Sequence, residues 1–300
     1  MSNKQRVGLI GVGLMGHGIG KNILKNGYAL TVLAHKNRKP VESLIGLGAS
    51  EASSAKQLAE NSDVVILCVT GSPEVENALY RDDGLMEGIH DGMVIIDCST
   101  AEPDSTLKVA GDIQSKGGRY VDAPMTRTPK EAETGNLALM TGGDVTTITE
   151  IRPILDCFAD TIINAGGVSA GHKLKLINNF LALGKAVLVS EAMSAAAKGG
   201  VDIQALHDIV VAGGANSVMF ERLIKVALDD DDSALQFYIK NAQKDLRYYT
   251  TMTQNQSSTS FIAESVHQSY VLASNMGYGE KFVPRMVDFM GHINGVNVRK

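Results

Sequence analysis

Two kinds of apolar pattern divide the chain. Up to about residue 168, short continuous apolar runs recur at 6–10, 30–34, 64–69, 94–97, 120–122, 137–141 and 161–164. Runs of this length and continuity predict strands covered on both faces. Between them, segments such as 56–61, 73–80 and 106–117 carry apolar residues at helical spacing. Strand and helix in alternation predict an α/β domain built on a doubly wound parallel sheet. From about residue 170 the period changes. Residues 170–198 hold no proline, and Leu174, Ile177, Leu181, Val187, Leu188 and Met193 recur as on one long helix. After Gly199-Gly200 the segments 202–212, 216–228, 234–253, 258–276 and 279–293 all have the helical period. The predicted organisation is an α/β domain at 1–168, an inter-domain helix at 169–198 and an all-α domain at 199–300. The acidic run 229–232 is expected to be a solvated loop.

The first strand and helix carry a specific signal. Gly11-Val12-Gly13-Leu14-Met15-Gly16 follows the apolar run directly and opens a helical pattern through Ile19, Ile23 and Leu24. This is G-x-G-x-x-G between strand and helix, the Rossmann dinucleotide fingerprint. Gly11 permits the tight turn, Gly13 lets backbone approach a pyrophosphate, and Gly16 lets helix and strand pack closely. The helix N-terminus, with Leu14 and Met15 in the turn, offers N–H groups and a positive dipole end to the phosphates. Ligands of such sheets lie beyond the carboxyl ends of the strands. Val69, Thr70 and Thr100 end their strands there and are expected cofactor contacts, although Ser and Thr at these places also serve as helix caps.

The long helix opens with GHKLKLINN, residues 171–179. At about 100° per residue, Gly171, Lys175, Asn178 and Asn179 share one face, and Lys173 points roughly 200° away. That face offers a proton donor, two carboxamides and a glycine that admits a ligand. Taken alone, the nonamer also fits a helix turn with solvated lysines, which is what most Lys-rich turns are.

Composition narrows the class. Three hundred residues at 44% hydrophobic can bury two cores. The net charge of −5 argues against nucleic acid or a membrane surface as partner. No apolar run reaches the ~20 residues of a membrane span, since Lys185 interrupts the best candidate. No signal peptide is expected ahead of the first strand, because MSNKQ is short and polar. Cys68, Cys98 and Cys157 match no metal or redox spacing and read as buried thiols of a reducing, cytoplasmic compartment. The histidines are scattered, and no metal is implied.

With these motifs assembled, the chain resembles the β-hydroxyacid dehydrogenases, the family of 3-hydroxyisobutyrate dehydrogenase and tartronate semialdehyde reductase. The resemblance runs in order through Gly8–Gly16, Asp97-Cys98-Ser99-Thr100, Asp122-Ala123-Pro124, the GxxxKxxNN of Gly171, Lys175, Asn178 and Asn179, and Lys244-Asp245-Leu246. It implies hydride transfer between a nicotinamide cofactor and a small anionic hydroxy acid or acid semialdehyde. Lys175 would be the general acid/base, Asn179 would orient substrate, and Lys244 would lie near nicotinamide and substrate. The helical domain would serve substrate binding and assembly as a homodimer or homotetramer. An imine reductase-like protein, which generally lacks the lysine, and a non-catalytic dinucleotide-binding module of the same fold are the alternatives.

Two departures refine this expectation. Where the family usually continues Val-Ser-Gly-Gly, this chain has Met125-Thr126-Arg127-Thr128. An arginine is a planar, bidentate donor for carboxylate, sulfonate or phosphate. Thr126, Arg127 and Thr128 are therefore expected to bind the anionic end of the substrate. A related Gly-Arg-Thr variant, with INAGG and KLINN after it, marks the sulfolactaldehyde reductase branch. This chain has both, at Ile163–Gly167 and Lys175–Asn179, but Thr126 in place of the Gly. After the second strand stand His35, Lys36, Asn37, Arg38 and Lys39, with no carboxylate before Glu42. Cations here would attract a 2′-phosphate, so His35, Lys36 and Arg38 are expected to favour NADP(H), with NAD(H) as the alternative.

Overall fold

The computed structural model describes residues 4–299, which fall into two compact units that divide after Lys175. The first unit is built on nine strands: β1 (Val7–Ile10), β2 (Leu30–Leu33), β3 (Ser50–Ala52), β4 (Val64–Leu67), β5 (Val94–Asp97), β6 (Arg119–Asp122), β7 (Met125–Thr126), β8 (Leu137–Gly142) and β9 (Ala159–Gly166). Helices α1 (Gly16–Lys25), α2 (Lys39–Gly46), α3 (Ala55–Glu60), α4 (Ser72–Tyr80), α5 (Pro103–Ser115), α6 (Pro129–Thr134) and α7 (Val145–Leu155) alternate with them.

The strand order is β3-β2-β1-β4-β5-β6-β8-β7, with β9 paired to β8. Strands β3 to β6 along this order are parallel, which is the Rossmann arrangement. The parallel sheet does not extend beyond β6, because β8 pairs antiparallel to it and to β7. The sequence runs did not distinguish this, since periodicity carries no strand direction. Burial follows the pleat. Val64 and Ile66 join one core while Val65 and Leu67 join another, so β4 is covered on both faces. Strands β3 and β7 were not expected: three and two residues are too short to show a period. Prolines stand in the first turns of α4, α5 and α6, where a missing N–H costs nothing.

Helix α8 (Ala170–Lys198) begins in the first unit and continues into the second. The division falls inside this helix, after Lys175. The second unit adds α9 (Ile203–Ala212), α10 (Val218–Asp229), α11 (Ile239–Asn255), α12 (Phe261–Ala273) and α13 (Met286–Ile293). Its core gathers Leu183, Val187 and Met193 of α8 with Leu223, Leu246 and Tyr270. Contrary to the expectation from Lys185, α8 holds an 18-residue stretch of mean hydropathy 1.4, long and apolar enough by composition to cross a membrane. Leu183, Ala186, Val187 and Met193 of this helix pack the core of the second unit, while Leu181 and Leu188 are exposed. The acidic run is not merely solvated: Asp232 accepts from Arg285 Nε at 2.7 Å and Asp230 pairs with Arg299 at 2.9 Å.

Candidate active site

The fingerprint turn fits a dinucleotide. Gly11 has φ +99°, and a Cβ there would meet the Cys68 carbonyl at 2.2 Å. A Cβ on Gly16 would meet the Gly11 carbonyl at 1.9 Å. Both glycines are thus required by the turn itself. Gly13 differs, because nothing lies within 4 Å of a Cβ built on it. The outer side of this turn is open, at the start of α1, where helix amides face outward. Leu14 beside it is exposed, Met15 packs toward the core, and Val69, Thr70 and Thr100 follow β4 and β5 at their carboxyl ends. A consequence is testable. Gly13→Val is expected to leave the melting temperature within about 3 °C, yet weaken dinucleotide binding at least about tenfold by blocking backbone approach. Calorimetric titration with NADPH and a thermal melt measure both.

The rim after β2 is less simple than its sequence. His35 and Lys36 are exposed. Arg38, however, donates both terminal nitrogens to Glu51, Nη1 to Oε1 at 3.0 Å and Nη2 to Oε2 at 2.9 Å. Glu51 lies on β3, beside Val32 of β2. Its carboxyl is held below the usual range by the Arg38 hydrogen bonds. The expectation of cations without a carboxylate therefore fails spatially: Glu51 from β3, and Glu42 at 3.5 Å one helical turn on, supply the acids that residues 35–39 lack.

Lys175 sits half-buried in the first turns of α8, and its Nζ donates to the Met125 carbonyl at 2.6 Å. This brings the lysine to the backbone that follows Asp122-Ala123-Pro124. Gly171 is explained by packing rather than by ligand access. It is buried, and a Cβ there would meet the Met140 carbonyl at 2.2 Å and an Asp122 carboxylate oxygen at 2.8 Å. Burial pushes the Asp122 carboxyl above its ordinary value, while His172 and backbone amides pull it back.

In the segment 125–128 the three expected substrate residues part company. Thr126 belongs to β7 and is partly exposed. Thr128 caps α6: its amide and hydroxyl both donate to Glu131 Oε2, at 2.9 and 2.5 Å. Both donors are thereby committed to the helix start. Arg127 has φ +84°, a left-handed conformation that favours glycine. Its Nη1 donates to Asp160 Oδ2 at 2.7 Å and to the Asn136 carbonyl, and its Nη2 to Thr161 Oγ1 at 3.2 Å. The Arg127 bond, with one that Thr161 Oγ1 donates to Asp160 Oδ1 at 2.7 Å, holds the Asp160 carboxyl down to about 2. Asp160 was not foreseen, because it lies 33 residues from Arg127.

In the second unit, Asn179 Nδ2 donates to Asp245 Oδ2 at 2.6 Å, and Lys244 Nζ pairs with Asp245 Oδ1 at 2.9 Å. Asp245 is buried, and it joins two residues that the sequence singled out separately. Asn178 Nδ2 reaches Asn179 Oδ1 at 3.4 Å.

Comparison with known proteins agrees with this framework. Residues 6–167 match the model for the NAD binding domain of 6-phosphogluconate dehydrogenase, and residues 169–289 that for the NAD-binding domain of NADP-dependent 3-hydroxyisobutyrate dehydrogenase. The chain is 34% identical to the 3-sulfolactaldehyde reductase of Escherichia coli over 186 residues, which span 62% of either chain. It is 31% identical to the 2-hydroxy-3-oxopropionate reductase of the same organism, over 80% of this chain and 82% of that one. The crystal structure of 3-hydroxyisobutyrate dehydrogenase from Salmonella typhimurium superposes with a TM-score of 0.84 at 25% identity, covering 95% of this chain and 100% of that one. The chain carries a nicotinamide-dinucleotide-binding domain and belongs to the β-hydroxyacid dehydrogenases, oxidoreductases of small hydroxy acids and their semialdehydes.

Proposed function

We propose that the protein interconverts a short, anionic acid semialdehyde and its 3-hydroxy acid, with Lys175 as general acid in reduction and general base in oxidation. The observation that carries this reading is the half-buried Lys175 ammonium at 2.6 Å from the Met125 carbonyl, in a unit that also holds the open Gly13 turn. A bound nicotinamide dinucleotide supplies or takes the hydride. Gly11, Gly13 and Gly16 cradle its phosphates, with Leu14, Met15, Val69, Thr70 and Thr100 along the rim. As negative charge grows on the substrate oxygen, Lys175 Nζ stabilises it and gives up a proton. In oxidation the neutral amine takes the alcohol proton. Asn178, Asn179 and Lys244 orient the substrate, and Arg127 meets its anionic end. Three of the five Arg127 donors are committed to Asn136, Asp160 and Thr161. The remaining edge is the part that recognises an anion.

The decisive assay is a reduction screen with NADH and NADPH. Its substrates are 3-sulfolactaldehyde, tartronate semialdehyde, succinic semialdehyde and methylmalonate semialdehyde, with a cyclic imine and a neutral aldehyde as controls. Turnover of the anionic aldehydes alone supports the reading. Turnover of the imine alone, or of nothing, removes it.

For the cofactor, NADP(H) preference is the finer proposal, supported by the exposed His35 and Lys36 and by Arg38. Glu51 holds the fork of Arg38 in the free protein, so a 2′-phosphate must compete for it. Glu51→Gln is then expected to raise the NADPH-to-NADH ratio of kcat/KM by about threefold to tenfold, and Arg38→Ala to lower it by a similar factor. Equal ratios in all three proteins would mean that the pair is only a surface ion pair.

We also infer self-association, as a dimer or tetramer. Leu188, Ile209, Phe261 and Ile262 of the second unit are all more than two-thirds exposed, a costly display for a lone monomer. Light scattering on the purified chain tests it. The three unpaired cysteines support a reducing, cytoplasmic setting.

A further inference from the structure

Two buried polar side chains fix where α8 begins. The Asp122 carboxylate, at the end of β6, accepts the amides of Ser169 and His172, each at 2.8 Å. Amides at a helix start have no carbonyl partner within the helix, and a carboxylate suits the positive end of its dipole. This cap comes from a strand 47 and 50 residues earlier, so it ties the axial position of the helix to the sheet. Ser169 meets it with φ +74°, a left-handed backbone that a side chain seldom adopts.

His172 governs rotation. Its ring is fully buried, with Nδ1 at 2.7 Å from Thr106 Oγ1 of α5 and Nε2 at 3.2 Å from the Ser99 carbonyl. A carbonyl only accepts, so Nε2 carries the hydrogen. Ser99 is itself pinned: its amide donates to Asp97 Oδ1 at 2.9 Å and its hydroxyl accepts the Val69 amide at 3.1 Å. The ring therefore links the first turn of α8 to the loops that end β4 and β5. Lys175 follows three residues later, roughly 300° around the axis and ~4.5 Å along it. A helix held at its start and pinned at one azimuth delivers that next turn to one place.

We propose that His172 is a positioning residue for Lys175. Its two hydrogen bonds, with the Asp122 cap, set the rotation and height at which the ammonium is presented at the Met125 carbonyl. This rests on the reading of Lys175 as the proton donor. His172 itself touches neither substrate nor cofactor in this account.

The test compares His172→Leu, which loses both bonds, with His172→Gln, whose amide still reaches the Ser99 carbonyl. The assay is NADPH oxidation with the fastest aldehyde acid of the panel above. The leucine variant is expected to lose about thirtyfold to hundredfold in kcat, with aldehyde KM and NADPH affinity within about threefold, because a displacement near 1 Å costs about that much. Glutamine is expected to recover at least about a third of the wild-type rate. Unchanged kcat in the leucine variant, or equal losses in both variants in step with melting temperature, would overturn the proposal. Should the leucine variant not fold, Thr106→Val removes the hydroxyl on Nδ1 and is expected to lower kcat about fivefold at unchanged KM; no loss overturns it.

A second readout needs no turnover. In protein with ¹³C-methylated lysines, the resonance missing in Lys175→Ala reports the surroundings of Lys175. It is expected to move in the leucine variant and return in the glutamine variant, and a fixed resonance overturns the proposal. Wild-type turnover in Lys175→Ala would instead refute the role of the lysine, while the resonance still judges its positioning.

Discussion

Lys175→Ala is expected to lower turnover by about a hundredfold to ten-thousandfold, the usual loss for a general acid. Folding and dinucleotide affinity are expected to stay near wild type. The first turns of α8 are held by Asp122 and His172, neither of which needs the lysine, and alanine favours the helix. The proposed dinucleotide contacts lie instead at the Gly13 turn and the rims after β4 and β5. A thermal melt, NADPH titration and kcat on the same preparation separate these quantities. Lys173→Ala, on the far side of the helix, is the matched control and should be close to wild type. Wild-type turnover in the Lys175 variant would end the proposed mechanism.

The second large effect concerns Arg127. Arg127→Gly is the substitution of choice, because glycine suits φ +84°, whereas alanine would keep the strain that arginine already carries. It is expected to lower kcat/KM about a hundredfold for sulfonated or carboxylated aldehydes, and less than about threefold for a neutral aldehyde of equal size. Arg127→Lys should recover only part of the loss, since a point charge lacks the planar fork. The Asp160 pair bears on the pH of the assay. The Asp160 carboxyl is depressed to about 2, so the pair is complete above the ordinary carboxylate range and is lost only as pH falls through about 2. Across a neutral range Asp160 should leave no inflection in the Arg127-dependent rate. Equal losses for charged and neutral substrates would assign Arg127 to the edge of β8 and β9, where Asn136, Asp160 and Thr161 already hold it.

Several expectations changed for one physical reason, which is that partners distant in sequence are invisible to periodicity. Arg38 looked like a cation without a local acid, and Glu51 arrives from a three-residue strand with no apolar run of its own. Thr128 looked like a substrate ligand, and the helix that follows takes both its donors. Gly171 looked like an opening for a ligand, and the Met140 carbonyl lies where its side chain would be. His172 passed as one of seven scattered histidines until Thr106 and Ser99, 66 and 73 residues earlier, came to its ring.

What the chain order alone determined is whatever depends on short range. The Gly11–Gly16 turn is local covalent geometry, so three glycines at those offsets after an apolar run were enough to locate it. The covered strands are continuous apolar runs, and α8 is a long proline-free stretch of helical period. The face shared by Lys175 and Asn179 follows from 3.6 residues per turn. Tertiary structure decided what needs two distant segments at once. It set the antiparallel entry of β8, because strand direction leaves no mark on a short apolar run. It decided which carboxylate answers each arginine, since ion pairs form through space. It also set the height and azimuth of Lys175, because the Asp122 cap and the His172 bonds that hold α8 come from strands and loops folded far back along the chain.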